Sequence, residues 1–473
     1  MHQSQSPPGL PILGNVALLP RADDLWTAAA SLSKQYGDLA SFTGFGRTVI
    51  LINSANIAED LFEKRSSVYS DRPRSIMAGE LCGLRKNMLF SQYNDWFRGL
   101  RKSVAQEIGT YTNIRTFYPM LEYESRRFLA NILARPGELQ GHVRRTLTAI
   151  VLRISYGYEV KDRRDYFVDL AHTANEQLIQ ASLPGQYYVD IWPFLKYTPS
   201  WLPGAGFKRV AKEYAATMKQ FVEAPYEFVK QEMASGTNSL SFLSRHLAQN
   251  PNELEEDLIK WAVNVVYQGG SDTPISQVYA FFLAMTLYPD VQKKAQAELN
   301  AVVGSYRLPT FEDRPSLPYC EAVFMELLRW MNPAPFTLRQ VHEEDHYQGY
   351  TIPAGAYVLA NIWNMLHDER IYKDPDTFKP ERFLGDDPET DPRNACFGFG
   401  RRKCPGYFLA YSSVWLVCIQ SLAVFEISKA INDGVEITPE VKMAGGVICH
   451  PVPFKCSIKA RSVESKSLIV QEP

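Results

Sequence analysis

The sequence predicts a mainly α fold with a small β portion, built as one large domain, and three observations carry that expectation. Helical spacing of apolar residues dominates from Ile57 almost to Val302. Strand-like runs are short and confined to the two ends of the chain. No Gly/Ser linker, charge block or internal repeat divides its 473 residues. Length alone would suggest roughly three domains at about 150 residues each, but Pro and Gly are spread too evenly to mark boundaries. The expected organisation is therefore a proline-rich entry segment without a membrane anchor over 1–15, one domain over 16–460, and a polar tail over 461–473. A hydrophobic share of 45% against 22% charged residues leaves ample material for a core. A net charge of -2 gives no basic footprint, which excludes nucleic acid as an expected partner. Seven cysteines, an odd and sparse set, argue against a disulfide framework and for a reducing compartment.

In chain order, PPGLPILGN (Pro7 to Asn15) is a stiff entry, and Trp26 to Gln35 reads as a short helix. Strand-like runs follow at Leu39 to Phe42 and Thr48 to Ile52. The long helical region is interrupted by SLPGQYYVDIWPFLKYTPSWLPGAG, between Ser182 and Gly206, where Pro and Gly cluster. The longest apolar stretch, Leu258 to Leu287, contains Lys260, Gly269, Gly270, Asp272 and Pro274, so it reads as a buried, broken helix. With a polar MHQSQS start and no uninterrupted apolar run of spanning length, neither a signal peptide nor a spanning helix is expected. Beyond Arg329 come strand-like pieces (Phe336 to Leu359) and irregular chain to Phe399. A helix over Tyr407 to Leu422 and strand-like pieces ending near Ile458 follow, then a tail expected to fray.

Several motifs fail on their own physics. His342-Glu343-Glu344-Asp345-His346 spells the H-E-x-x-H zinc pattern, which needs a helix to bring the two imidazoles within about 6 Å on one face. Here prolines precede it and a turn-and-strand pattern follows; extended chain would part the rings by about 13 Å. Gly398-x-Gly400 is no dinucleotide loop, because Lys403 stands in the third glycine's place. Ala410 occupies the position where a phosphatase-like cysteine loop needs arginine. No G-x-S-x-G elbow is present.

The stretch CFGFGRRKCPGYFLA, Cys396 to Ala410, is the informative one. Cys404 stands behind three basic residues, between Gly400 and Gly406, where an apolar helix begins. Buried packing, nucleophilic reactivity and metal ligation compete for it. Pro405 suits a helix's first turn, and a helix N-terminus would lower the thiol's pKa. Gly398, Gly400 and Gly406 would let the backbone approach something flat. A thiolate beneath a planar group is what an iron porphyrin takes on its proximal side, with Arg402 in place for a propionate.

Phe397-Gly398-Phe399-Gly400-Arg401-Arg402-Lys403-Cys404-Pro405-Gly406 resembles the haem-binding signature of the cytochrome P-450 family, F-x-x-G-x-R-x-C-x-G. Further blocks share the resemblance. Glu326-Leu327-Leu328-Arg329 is similar to the E-x-x-R of that family's helix K, and Phe378 to Phe383 to its P-E-R-F segment. The resemblance implies that Glu326, Arg329 and Arg382 form a buried triad supporting the haem-binding loop. Gly269-Gly270-Ser271-Asp272-Thr273 resembles the oxygen-binding A-G-x-D-T of helix I, which implies proton delivery by Asp272 and Thr273; Pro274 departs from the usual Thr or Ser. Tyr93 to Lys102 resembles the W-R-x-x-R segment with Phe97 in the tryptophan's place, putting Arg98 and Arg101 where propionate-facing residues lie. Arg339-Gln340 stands where relatives often carry Pro-His, with Arg339 compensating for the missing charge.

The resemblance, covering Pro7 to about Ile458 and of fungal, basidiomycete-like flavour over Ala174 to Arg209, implies a haem-thiolate monooxygenase of secondary metabolism. It implies haem b (iron protoporphyrin IX) on Cys404, dioxygen, and NADPH-derived electrons from an NADPH-cytochrome P-450 reductase. A small apolar or aromatic substrate would touch Ser75 to Phe90, Val265 to Thr273 and Pro333 to Leu338. The cytosolic face of the endoplasmic reticulum is the implied location, with the cytoplasm as alternative. The cluster Tyr187, Tyr188, Ile191, Trp192, Trp201 and Leu202 suits peripheral membrane contact. Arg401, Lys403 and Lys102 form a candidate reductase-docking patch. A haem-thiolate isomerase or dehydratase needing no external electrons is the alternative, and a zinc hydrolase on His342 and His346 the remote one.

Overall fold

Where the helical pattern lapses, the chain turns. The helix Tyr166–Ser182 ends at the Pro/Gly-rich break, two short helical turns cross it (Tyr188–Ile191 and Pro193–Tyr197), and a long helix resumes over Phe207–Ser235. The computed structural model describes residues 14–15, 25–44, 46–161 and 164–470. The 1–15 entry segment thus lies outside the described residues apart from Gly14 and Asn15. Asn15 exchanges hydrogen bonds with Thr43, N–H to O at 2.8 Å and Oδ1 from N at 2.7 Å.

The first helix spans Leu25–Tyr36 and the strands Leu39–Gly44 and Arg47–Ile52 follow, as the pattern predicts. These strands join Tyr357–Ala360 and Thr337–Gln340 in a four-stranded sheet. Its first pair is antiparallel; Arg47–Ile52 then runs parallel to Tyr357–Ala360, with Ile50 opposite Val358. This pairing brings residues about three hundred positions apart to one edge of the cavity.

The core is built by the amphipathic helices Tyr118–Ala134, Leu139–Tyr156 and Glu253–Gly270, each burying an apolar face, around Thr273–Leu287 and Tyr407–Val424, which are buried nearly all round. The last is long and apolar enough to cross a membrane, yet 78% of it is buried inside the protein, so it serves as a core helix. All seven cysteines are unpaired. The expected frayed tail is instead a helix over Val463–Val470, with Ile469 buried against the core. Ile469 and the partly buried Leu468 beside it anchor a segment whose composition is otherwise that of a tail.

Candidate active site

The stretch Leu258 to Leu287 is two helices, Glu253–Gly270 and Thr273–Leu287, separated at Ser271-Asp272. Pro274 occupies the first turn of the second half, where its missing N–H costs nothing. Gly270 has a packing reason: a Cβ there would sit 2.3 Å from Val151 Cγ1, so the glycine lets this helix close on Leu139–Tyr156. Thr273 Oγ1 donates to Gly269 O at 2.9 Å, tying the break together, and Thr273 lines the central cavity. Asp272 is buried, its Oδ1 3.0 Å from His450 Nε2.

Cys404 lines the same cavity, of 560 Å³, as do Phe397, Gly398, Arg402 and Gly406. Cys404 is exposed, and the space it is exposed to is the cavity. Its loop is held by a hydrogen bond from Cys404 N to Phe397 O at 2.9 Å. The helix begins at Tyr407, three residues on, with Gly406 as its cap. The expectation of a thiol lowered by a helix N-terminus is corrected: burial pushes the Cys404 thiol up, with the Gly406 amide and Arg101 only partly offsetting it. Coordination to a metal would remove that proton outright. Gly398 has φ +72° and open space before it. Gly400 is needed for another reason than approach to a flat group: at φ +56°, its Cβ would lie 1.9 Å from Phe62 O, on the turn Asp60–Lys64.

Four arginines crowd one end of the cavity: Arg72, Arg101, Arg339 and Arg402. Arg402 gives its donors to Ser70 O (2.8 Å), Met88 O (3.0 Å) and Ser91 O (2.7 Å), and lies 3.8 Å from the centre of the Phe97 ring. Arg101 Nη1 donates to Lys403 O at 2.6 Å, and Arg72 Nη1 to Leu338 O. Arg339 is 2% exposed and reaches only Phe399 O, at 3.5 Å; its Nη1 and the Nε of Arg72 are buried without a partner. Among the described residues, no carboxylate forms an ion pair with any of the four. Burial and mutual repulsion push Arg402 down to about 9, burial takes Arg72 to about 10, and Arg339 falls furthest. Such a cluster calls for anions. Arg98 is placed apart: it pairs on the surface with Asp95 and does not line the cavity.

On the helix Pro318–Trp330, Glu326 lies at the centre of a buried ion network. Arg329 Nε and Nη2 donate to its two oxygens at 2.7 and 2.8 Å, and Arg382 Nε approaches at 3.1 Å. Glu389, which sequence reasoning missed, completes it by taking Arg382 Nη1 at 2.6 Å.

The H-E-x-x-H residues have no helix. His342 pairs with Asp71 Oδ2 at 3.1 Å, while His346 sits in the strand Asp345–Tyr347 and meets Thr351. Among the described residues no group of three or more His, Cys, Asp or Glu could hold a metal ion.

The apolar lining of the cavity includes Leu89, Phe90, Val265, Pro333 and Phe336, within the segments the sequence pointed to. Leu178 and Ile179, on Tyr166–Ser182, and Val447 and Ile448, near the C-terminus, join them unforeseen. Those positions carry only ordinary apolar residues, and nothing local marks them. Arg72 was missed likewise, as one of several charges in a loop.

The cytochrome P450 family profile matches residues 5–458. The chain belongs to the cytochrome P450 family. It is 45% identical over 469 residues to cytochrome P450 monooxygenase claR of Ampulloclitocybe clavipes, covering 98% of this chain and 87% of that protein. Cytochrome P450 monooxygenase 208 of Postia placenta is 44% identical (98% and 91% covered). Monooxygenase ppsD of Aspergillus oryzae is 40% identical (98% and 90%). A zebrafish cytochrome P450 solved with abiraterone superposes with a TM-score of 0.74 over 92% of this chain and all of that one, at 19% identity, which bears on the fold. This P450 is thus an oxidoreductase of mainly α fold, and its family works with a haem-thiolate cofactor, dioxygen, a small-molecule substrate and a redox partner. The residues fit that cofactor: a sulfur faces the cavity, and the arginines lack the negative charge that two propionates would bring.

Proposed function

We propose that this P450 inserts one oxygen atom of dioxygen into an apolar or aromatic small molecule, of terpenoid or alkaloid type, in fungal secondary metabolism. The observation carrying this reading is that Cys404, the unbalanced arginine cluster and the Thr273 break line one largely apolar cavity. Cys404 would hold haem b, with Arg72, Arg101, Arg339 and Arg402 taking its propionates; Phe397, Gly398, Gly400 and Gly406 shape the loop, and Glu326, Arg329 and Arg382 brace it. The bound haem would activate dioxygen, the thiolate pushing electron density toward iron. Apolar walls would orient the substrate and exclude water, while Thr273 and Asp272 would hold and pass protons at the break.

Electrons would come from NADPH through a cytochrome P450 reductase. Arg401, exposed and 4.9 Å from the Tyr93 ring centre, lies with half-exposed Lys403 and exposed Lys102 around the cysteine loop. That basic face suits an acidic partner. Contact with the cytosolic face of the endoplasmic reticulum would use the Ser182–Gly206 crossing. Tyr188, Phe194, Tyr197 and Trp201 there are each at least 65% exposed, more apolar surface than a loop in water needs. Trp192 and Leu202 are exposed beside them, while Tyr187 and Ile191 turn partly inward.

The test is the spectrum of the reduced carbon monoxide complex, followed by turnover with and without NADPH and reductase. A strongly red-shifted band with NADPH-dependent turnover supports the reading. Turnover without any electron donor would replace it by an isomerase or dehydratase.

A further inference from the structure

Asp272 has a partner that the helix-break motif does not account for. His450 belongs to the strand Cys449–Pro451, which packs on the second half of the broken helix and is pinned there by Ser276 Oγ donating to Cys449 O at 2.7 Å. Its Nε2 lies 3.0 Å from Asp272 Oδ1, and the second carboxylate oxygen, Oδ2, is buried without a hydrogen-bond partner. The His450 side chain is 28% exposed and that of Asp272 12%. One imidazole therefore touches both solvent and a buried carboxylate, and that carboxylate precedes Thr273, which lines the cavity.

The charged surroundings are few. Arg144, on Leu139–Tyr156, acts on Asp272 through space, as do Glu176 and Asp169 on Arg144. His172, on Tyr166–Ser182, contacts Glu176 at 3.3 Å and feels Arg144, Asp272 and His450. The paired strand Met443–Gly445 sets Ala444 opposite His450 and brings no titratable group.

We propose that His450 is the solvent-side proton carrier for Asp272, a positioning residue for protonation in the cavity. This rests on the reading of Asp272 and Thr273 as the proton-delivery pair. The imidazole takes a proton from water at Nδ1 and releases the one on Nε2 to Asp272 Oδ1. The resulting carboxylic acid, which does not itself line the cavity, passes its proton toward the cavity-lining Thr273 and returns to carboxylate, while the imidazole returns to its starting tautomer through water. One proton enters, one leaves, and no electron moves. Imidazole suits the task because its ordinary pKa exceeds that of Asp by only roughly two to three units, whereas guanidinium holds its proton far more tightly.

Two measurements test it. The first is proton NMR titration of the histidines in the diamagnetic ferrous carbon monoxide form. Because the two side chains touch, the histidine resonance that vanishes in His450→Gln should change its chemical shift in Asp272→Asn. The second is reductase-driven NADPH oxidation without added substrate, reading the share of electrons recovered as peroxide rather than water, from pH 5.5 to 8.5. In His450→Gln, which keeps a donor to Oδ1 but cannot exchange a proton, the peroxide share should rise at least twofold and lose its pH dependence. Asp272→Asn should do the same, and the double variant should add nothing. A His450→Gln enzyme matching the unaltered one while Asp272→Asn leaks peroxide would overturn the His450 proposal and leave the role of Asp272 standing. No change in either variant would overturn the underlying reading, and the proposal with it. Should His450→Gln bind haem poorly, an unshifted histidine in Asp272→Asn is sufficient to reject the coupling.

Discussion

Replacing Glu326 with Ala removes the acceptor shared by Arg329, Arg382 and the Lys379 amide, which donates to Oε1 at 2.8 Å. The three side chains are at most 1% exposed, so water cannot take over. Arg382 would keep Glu389, and the stranded charge falls on Arg329, left with Leu366 O at 2.9 Å and Thr377 O at 3.3 Å. Breaking a buried pair from one side costs about 3–5 kcal/mol. With an unfolding entropy of about 2.1 cal/mol/K per residue, the whole chain gives about 1 kcal/mol/K, so Tm should fall by about 3–5 °C. Scanning calorimetry of the purified holoprotein, with the haem-to-protein ratio measured alongside, reads both consequences. Glu326→Gln, which keeps one acceptor, should fall between. A Glu326→Ala protein melting within about 1 °C of the unaltered one, with full haem, would refute the claim that this network braces the cysteine loop.

Cys404→Ser should abolish the red-shifted carbon monoxide band, because a hydroxyl is a hard, poor ligand for this iron; retention of the band would point to another cysteine. Arg339→Leu should weaken haem retention roughly tenfold or more, since a charge-assisted hydrogen bond contributes about 1.5–3 kcal/mol, as read by haem transfer to apomyoglobin. Replacing Phe194, Tyr197 and Trp201 with Ser should release the protein from sedimenting phosphatidylcholine vesicles while leaving its spectrum intact. Half-buried His367, next to Arg329 and Arg382, is pushed down to about 3 by burial and those charges. The folded protein then binds fewer protons than the unfolded chain between about pH 6.5 and 3, so stability falls as pH drops through that window. The slope reaches about 1.4 kcal/mol per pH unit. Urea unfolding at pH 7.5 and 5 should show about 2 kcal/mol of loss that His367→Gln lacks.

What could be read from sequence was what depends on near neighbours. The Ser182 to Gly206 break, the fracture of the long apolar helix and the Glu326–Arg329 pair all follow from spacings of a few residues. Reasons that lie across the fold could not be. Gly400 is glycine because of Phe62, and Arg339 acquires significance only when Arg72, Arg101 and Arg402 surround it. His450 likewise looks like an ordinary strand residue until the strand is laid on the broken helix. The tail misled for the converse reason: its composition is polar, yet Ile469 and Leu468 pack it against the core.

A protein that gathers four guanidinium groups with no ion-paired acid among the described residues would make its assembly depend on a molecule it does not encode. Until an anion arrives, repulsion favours opening the walls of the cavity, so loading and closure would be one event. Stabilisation by a bound partner grows with its concentration, by about 4 kcal/mol at a thousandfold excess over Kd. In a cell the folded share of this enzyme would then rise and fall with the supply of its cofactor.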